Sequence, residues 1–275
     1  MIVSGLFIYP VKSAKGICVE EMSFDSLGPR FDRRFMVIDK DNKVLTQREQ
    51  PSLATLITQI DFKKEELRLS FKRPKSDGEE SISLPMKNDK YEEKDCIEIN
   101  LWGDNVLGID CGNDLEAFMT SFLGLKARLV FISDSRKRPV LEYENHSMSF
   151  VDSSPLLIIG EESLKDLNKR LKKPLSMNRF RPNIVLKGGD PFDEDNLKEY
   201  TLGEANLKSF KECSRCVMIT IDQENGQKSD TEPLKVLNTY RSKEKGVMFG
   251  MSAFNINGKK IKKGDRLLNR SGSNC

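Results

Sequence analysis

Histidine is nearly absent from this chain of 275 residues; the sole one is His146. That excludes a zinc site rich in histidine and leaves Cys-His or Ser-His catalysis a single candidate partner. Cysteine is sparse as well. Cys18, Cys96, Cys111, Cys213, Cys216 and Cys275 are irregularly spaced, unlike the framework of a secreted disulfide-rich domain. No apolar run approaches the ~18–20 residues of a membrane span, so no membrane partner is expected. The N-terminus, MIVSGLFIYP, lacks the basic region and small-residue cleavage site of a signal peptide. Reduced thiols in the cytoplasm are the expectation. Neither sign of charge dominates: 45 basic and 42 acidic side chains leave a net +3. That balance gives no global attraction to nucleic acid, and it leaves room for a local basic pocket that holds a small anion.

What is present is a soluble globular composition, 37% hydrophobic and 32% charged. The first ~130 residues read mostly as strands. IVSGLFIYP alternates, RFMVIDKDNKVLTQ has a hairpin turn at 39–42, and ELRLSF, SISLPM, IEINLWG and NVLGID follow at short spacing. Many short strands with polar turns predict a barrel or sandwich. FKRPKSDGEES reads as a solvated loop. Leu115, Phe118, Met119, Phe122 and Leu123 recur at helical spacing over 113–123, and Gly124 can end that helix. ARLVFI returns to strand. Residues 133–154 show no sustained period and read as a lid, binding loop or linker. A domain boundary is placed before them, giving 1–130 and 131–275. PLLIIG then reads as a strand, 161–173 as a helix, and NIVLKG and CVMITID as strands. TEPLKVLNTYRS reads as a helix capped by Thr231, and the tail as closing strands around Gly258 and Gly264.

Cys213 and Cys216 form a Cys-x-x-Cys pair with Arg215 inside it. A zinc clip needs four ligands, and the remaining cysteines are single and scattered. A thioredoxin-like pair needs a helix N-terminus after its first thiol, whereas Val-Met-Ile-Thr-Ile favours a strand. Two buried thiols are what spacing alone favours. Against that, a cation beside a thiol favours the thiolate, the form that soft or high-valent metals accept. In an ideal strand Arg215 and Cys216 face opposite ways, so a shared site needs an irregular turn before the strand.

Five stretches occur in order: YPVKSAKG (9–16), DRRF (32–35), Asp152-Ser153-Ser154-Pro155, FRPNIVL (180–186) and CSRCVMITID (213–222). Together they resemble the MOSC proteins, and within them the amidoxime-reducing components and their bacterial relatives. The closing GKKIKKGDRL is similar too. The resemblance covers essentially the whole chain. It implies a mainly β fold with a few helices (α+β): an N-terminal MOSC-associated β-barrel domain followed by a MOSC β-barrel. It implies a molybdenum cofactor, the metal on molybdopterin, lying between them. Cys216 takes the position of the metal ligand, and Cys213 that of a supporting or packed thiol. Ser153, Ser154, Arg181 and Asn183 match positions that hold the pterin phosphate, a task suited to a guanidinium fork. Lys12, Ser13 and Arg34 match positions around the pterin and metal. Asp152 could accept a bond from the pterin or Arg181, and Ser214 and Arg215 flank the ligand. Lys12 and Arg215 stand with Cys216 as the catalytic set. The resemblance also carries an association of MOSC domains with pyridoxal phosphate binding.

Each motif has a plainer reading on its own. YPVKS is also a turn with an exposed lysine, FRPN a strand entry with a surface ion pair, and Asp152 a turn former. Ser252 stands where relatives often carry an aromatic. His146, in the long loop, is a candidate proton donor or an ordinary loop histidine. The resemblance implies reduction of N-hydroxylated compounds (amidoximes, hydroxylamines, N-hydroxylated bases). Electrons would come from a separate flavin, iron–sulfur or haem protein, since no clustered-cysteine ferredoxin domain follows. A carrier of cofactor or sulfur is the alternative, and a monomer is expected.

Overall fold

The computed structural model describes residues 1–72, 78–87, 91, 96–132, 138–140, 143–228 and 232–269. Thr231, Cys275 and the centre of the 71–81 loop lie outside the described residues. The fold is mostly β, as the alternating segments predict. A nine-stranded sheet has the order Ile17–Val19, Ile2–Ile8, Ile184–Lys187, Leu156–Gly160, Gly246–Asn255, Ala205–Ser214, Glu199–Leu202, Leu267–Asn269, with Ser242–Lys243 paired onto Gly246–Asn255. A five-stranded sheet joins Cys96–Leu101, Asp104–Asp110, Ala127–Ile132, Phe35–Asp39 and Val44–Leu45. A three-stranded sheet joins Glu79–Pro85, Glu66–Lys72 and Ile57–Asp61.

The strands do not sort cleanly by halves of the chain. Ile2–Ile8 pairs antiparallel with Ile184–Lys187, so the first strand belongs to the sheet built by the C-terminal half. A boundary at 130/131 also falls inside the strand Ala127–Ile132. The only parallel pair among the described strands of this sheet, Leu156–Gly160 with Ile184–Lys187, is linked through helix α2 (Glu161–Asn168), as a crossover requires.

Two expectations give way. The described part of 133–154 is not structureless: Arg138–Val140 and Tyr143–Met148 pair antiparallel. His146 lies on the second of these strands, half-buried, with its ring 4.3 Å from that of Phe254. CVMITID is not a strand. Val217–Thr220 is a 3-10 turn with Cys216 at its N-cap. Tertiary packing overrides the β-branched preference, because Ile219 is buried in a cluster with Leu167, Phe180, Leu237 and Phe249. Helix α1 (Asn113–Leu123) ends at Gly124 in the left-handed region, as the sequence predicts. Helix α2 is shorter than its expected span, and α3 (Glu232–Tyr240) lies where expected.

Candidate functional site

The chain segments at one end of the large sheet enclose a cleft of about 380 Å³. Lys12 and Ser13 follow the first strand. Their loop is pinned by Lys12 N–H donating to Phe35 O at 2.8 Å and by Gln47, whose Nε2 donates to Ser13 O at 2.7 Å. Gln47 and Gln223, both buried, exchange amide bonds at 3.1 and 3.0 Å and tie the N-terminal turn to the C-terminal one. Arg181 ends the 3-10 turn Met177–Phe180. Cys213 to Cys216 occupy the end of the strand Ala205–Ser214, which bulges between Glu212 and Ser214. That bulge is the irregular turn a shared site needs: both Arg215 and Cys216 line the cleft.

Six cations line the cleft, namely Lys12, Arg33, Arg48, Arg179, Arg181 and Arg215, against one carboxylate, Asp152. Some are already engaged. Lys12 Nζ donates to Phe150 O at 2.9 Å and pairs with Asp152. Burial pushes the Lys12 amine down, and Asp152 opposes that shift. Arg179 pairs with Asp222 at 3.1 Å. Others hold donors in reserve. Arg181 gives Nη1 to Ala14 O at 2.7 Å, while its buried Nη2 has no partner. Arg215 reaches Cys213 Sγ at 3.1 Å and Phe180 O at 2.8 Å, while its buried Nε has none. A buried donor left unmade costs about 1–3 kcal/mol, more when charged, so such groups mark where an acceptor belongs. Burial pushes Arg181 down to about 10, so it stays charged at neutral pH.

Two of these arginines share one ring. Arg33 and Arg181 lie over Tyr9 at 4.2 and 4.3 Å. Tyr9 is fixed by its hydroxyl donating to Pro182 O at 3.0 Å, and burial pushes that hydroxyl up to about 12. Buried Asp32 accepts from Tyr9 N, Arg33 Nη1 and Asn183 Nδ2. Ser13, Arg33 and Arg181 all have positive φ (70°, 47° and 55°), and all three line the cleft. Backbone strain of that kind collects at functional sites.

Of the residues singled out in the sequence, Lys12, Ser13, Asp152, Ser153, Ser154, Arg181, Asn183, Ser214, Arg215 and Cys216 come together here, with Cys213. Arg34 does not. Its guanidinium turns to Asp25 Oδ1 at 2.6 Å and Pro29 O at 3.2 Å in a separate hollow, and Arg33 takes its place in the cleft. Arg33 sits in a turn with left-handed backbone just before the strand Phe35–Asp39, and that geometry sends its side chain to the cleft and the next one away from it. Asn183 lines the cleft, but its amide is spent on Phe7 O, Asp32, Arg33 and Leu157 N, which makes it a scaffold. Ser154 donates within reach of Leu156 O and Ala253 O. His146 lies outside the lining, and buried Ser252 lies within it. The sequence reading missed Arg33, Arg48, Arg179 and Trp102. Arg48 is the most informative of these, because its Nη2 lies 3.3 Å from Cys216 Sγ across the cleft.

Among the described residues no group of three His, Cys, Asp or Glu side chains could hold a metal ion. A half-buried thiol such as Cys216 in a cationic cleft suits a metal that arrives on its own anionic chelate, and the unpartnered Arg181 Nη2 suits that chelate's phosphate.

Residues 1–126 match the MOSC N-terminal beta barrel domain and residues 145–268 the MOSC domain. The chain belongs to the MOSC family. Mitochondrial amidoxime reducing component 2 of Macaca fascicularis is 36% identical over 251 residues, covering 87% of this chain and 72% of that protein. Mitochondrial amidoxime-reducing component 1 of Homo sapiens is 33% identical over 250 residues with the same coverage. A molybdenum cofactor sulfurase of Oryza sativa is 31% identical over 268 residues, covering 90% of this chain but 31% of that longer protein. Among solved structures, the YUAD protein from Bacillus subtilis aligns over 97% of this chain and 93% of its own at TM-score 0.41 and 12% identity. Among the described residues no helix is long and apolar enough to cross a membrane.

Proposed function

We propose that the chain is a molybdenum-cofactor-dependent reductase of N-hydroxylated compounds, converting R–NHOH with two electrons and two protons to R–NH2 and water. A separate flavin, iron–sulfur or haem protein supplies the electrons. The observation that carries this reading is the pairing, in one cleft, of an accessible thiol with a buried guanidinium nitrogen that lacks an acceptor. Two relatives named for amidoxime reduction support it.

Cys216 would hold the metal, and Arg181, Arg33, Ser13 and Ser153 the pterin and its phosphate. When bound, the cofactor supplies two-electron oxygen-atom chemistry. The chain's own residues set the conditions for it. Arg48 donates to Cys216 Sγ and would orient that sulfur toward a bound metal. Lys12 Nζ and the Arg215 guanidinium would add positive charge to the cleft wall beside the bound group, where charge developing on a departing oxygen would be stabilised. Asp152 holds Lys12 in place.

Purified protein from a cofactor-competent host is expected to carry near-equal molybdenum and to reduce an amidoxime with a chemical electron donor. Cofactor-loaded protein that turns over no N-hydroxylated compound would defeat the reading. The match to a cofactor sulfurase keeps a carrier role as the second reading. Transfer of cofactor or sulfur to an apo-enzyme, without reductase activity, would favour it.

A further inference from the structure

Trp102 and Gly103 form the two-residue loop between Leu101 and Asp104, which pair across the hairpin. Both loop residues have positive φ, 59° and 98°. Asn-Gly relaxes such a turn, and a bulky indole in its first position is strained. The indole is nonetheless held firmly. Its Nε1 donates to Asp152 Oδ1 at 3.1 Å, and Arg48 lies 4.7 Å from the ring centroid. Arg138 clamps the hairpin by bonding Asp104 at 2.8 Å and Val151 O at 2.7 Å. Despite these ties the residue is 50% exposed, and it lines the cleft mouth. Phe180, the other aromatic in the lining, is fully buried. One guanidinium, that of Arg48, spans from this ring to Cys216 Sγ.

We propose that Trp102 is a stacking platform for the planar part of the substrate, making the protein selective for aryl over alkyl N-hydroxylated compounds. The proposal rests on the reductase reading and adds a specificity-determining residue to it. Arg48 and, at 5.8 Å, Lys12 Nζ approach the ring, and its exposed half is what can take a second π-system by offset or edge-to-face contact. The N–O group of a ligand stacked there extends past Arg48 toward the thiol.

Trp102 is the single tryptophan of the chain, so intrinsic fluorescence reports on this ring alone. Holoenzyme titrated with benzamidoxime is expected to show saturable quenching, and with acetamidoxime none. In Trp102→Leu the ratio of kcat/KM for the aryl over the alkyl substrate falls several-fold, up to about ten-fold for a lost aromatic pair. Trp102→Phe retains most of the ratio, which separates stacking from a disturbed hairpin. Absent quenching with an unchanged ratio overturns the proposal. So does a Trp102→Leu defect that is equal for both substrates and appears only with a protein electron donor, which would make the indole a docking point for that protein. Wild type inert toward both substrates would sink the reductase reading, while the fluorescence titration would still decide whether aryl ligands stack on Trp102.

Discussion

Arg181 has a left-handed backbone, a buried guanidinium and one unspent donor, a combination that fits an anion receptor better than a packing residue. Arg181→Gln is expected to fold and to lose about 10–100-fold in cofactor retention, the weight of a charge-assisted hydrogen bond. Molybdenum remaining after exhaustive dialysis measures it. Asp152 gives a pH-dependent test. Partial desolvation raises the half-exposed carboxyl, but the charge and hydrogen bond of Lys12, joined by Arg48 and Trp102, outweigh that and hold it well below the ordinary 3.8. The unfolded chain therefore takes up this proton first. The stabilisation is present above about pH 4 and is lost as pH falls through the lower folded value. Melting temperature is expected to fall more steeply below pH 4 in wild type than in Asp152→Asn. Equal slopes would show that the Lys12 pair contributes nothing. Most cleft residues were legible at this scale because they sit in short motifs. Arg34 was named in place of Arg33, since one sequence does not say which of two adjacent arginines faces inward. Arg48 was invisible because its role depends on a contact spanning 168 positions.

At the scale of elements, the periodic segments were read correctly, from the 39–42 hairpin to the Gly124 cap. The failures lie where packing outranks local preference. The β-branched run after Cys216 winds into a 3-10 turn, which places the thiol at the turn's N-cap, and Ile219 and Thr220 are buried beneath it. The loop YPVKSAKG shows the same dependence on neighbours. A Cβ on Gly16 would run into the Tyr9 ring. That ring is fixed by Pro182 O and by the two arginines stacked on it, so it cannot give way. Gly16→Ala is therefore expected to destabilise by about 1–3 kcal/mol, as overpacking does, and to loosen Arg33 and Arg181. Chemical denaturation checks the first effect and cofactor content the second. A Gly16→Ala variant as stable as wild type would mean the loop relaxes freely.

At the scale of the whole molecule, the cleft is a seam. Lys12, Arg33, Arg48 and Trp102 come from one half of the chain, and Asp152, Arg181 and the cysteines from the other. The strand Ile2–Ile8 crosses that division, so residues 131–275 expressed alone would leave Ile184–Lys187 as a bare edge. That fragment is expected to show no cooperative melt. A sharp transition would instead mean the C-terminal half folds by itself. A single sequence exposes two β-rich halves but not their shared strand, because strand pairing over such distance has no local signature. The central claim is that Cys216 is the thiol through which this seam holds molybdenum. Elemental analysis of wild type, Cys216→Ala and Cys213→Ala, each shown to be folded, tests it most directly. The account predicts near-equal molybdenum in wild type and Cys213→Ala and little in Cys216→Ala; full metal in Cys216→Ala would contradict it.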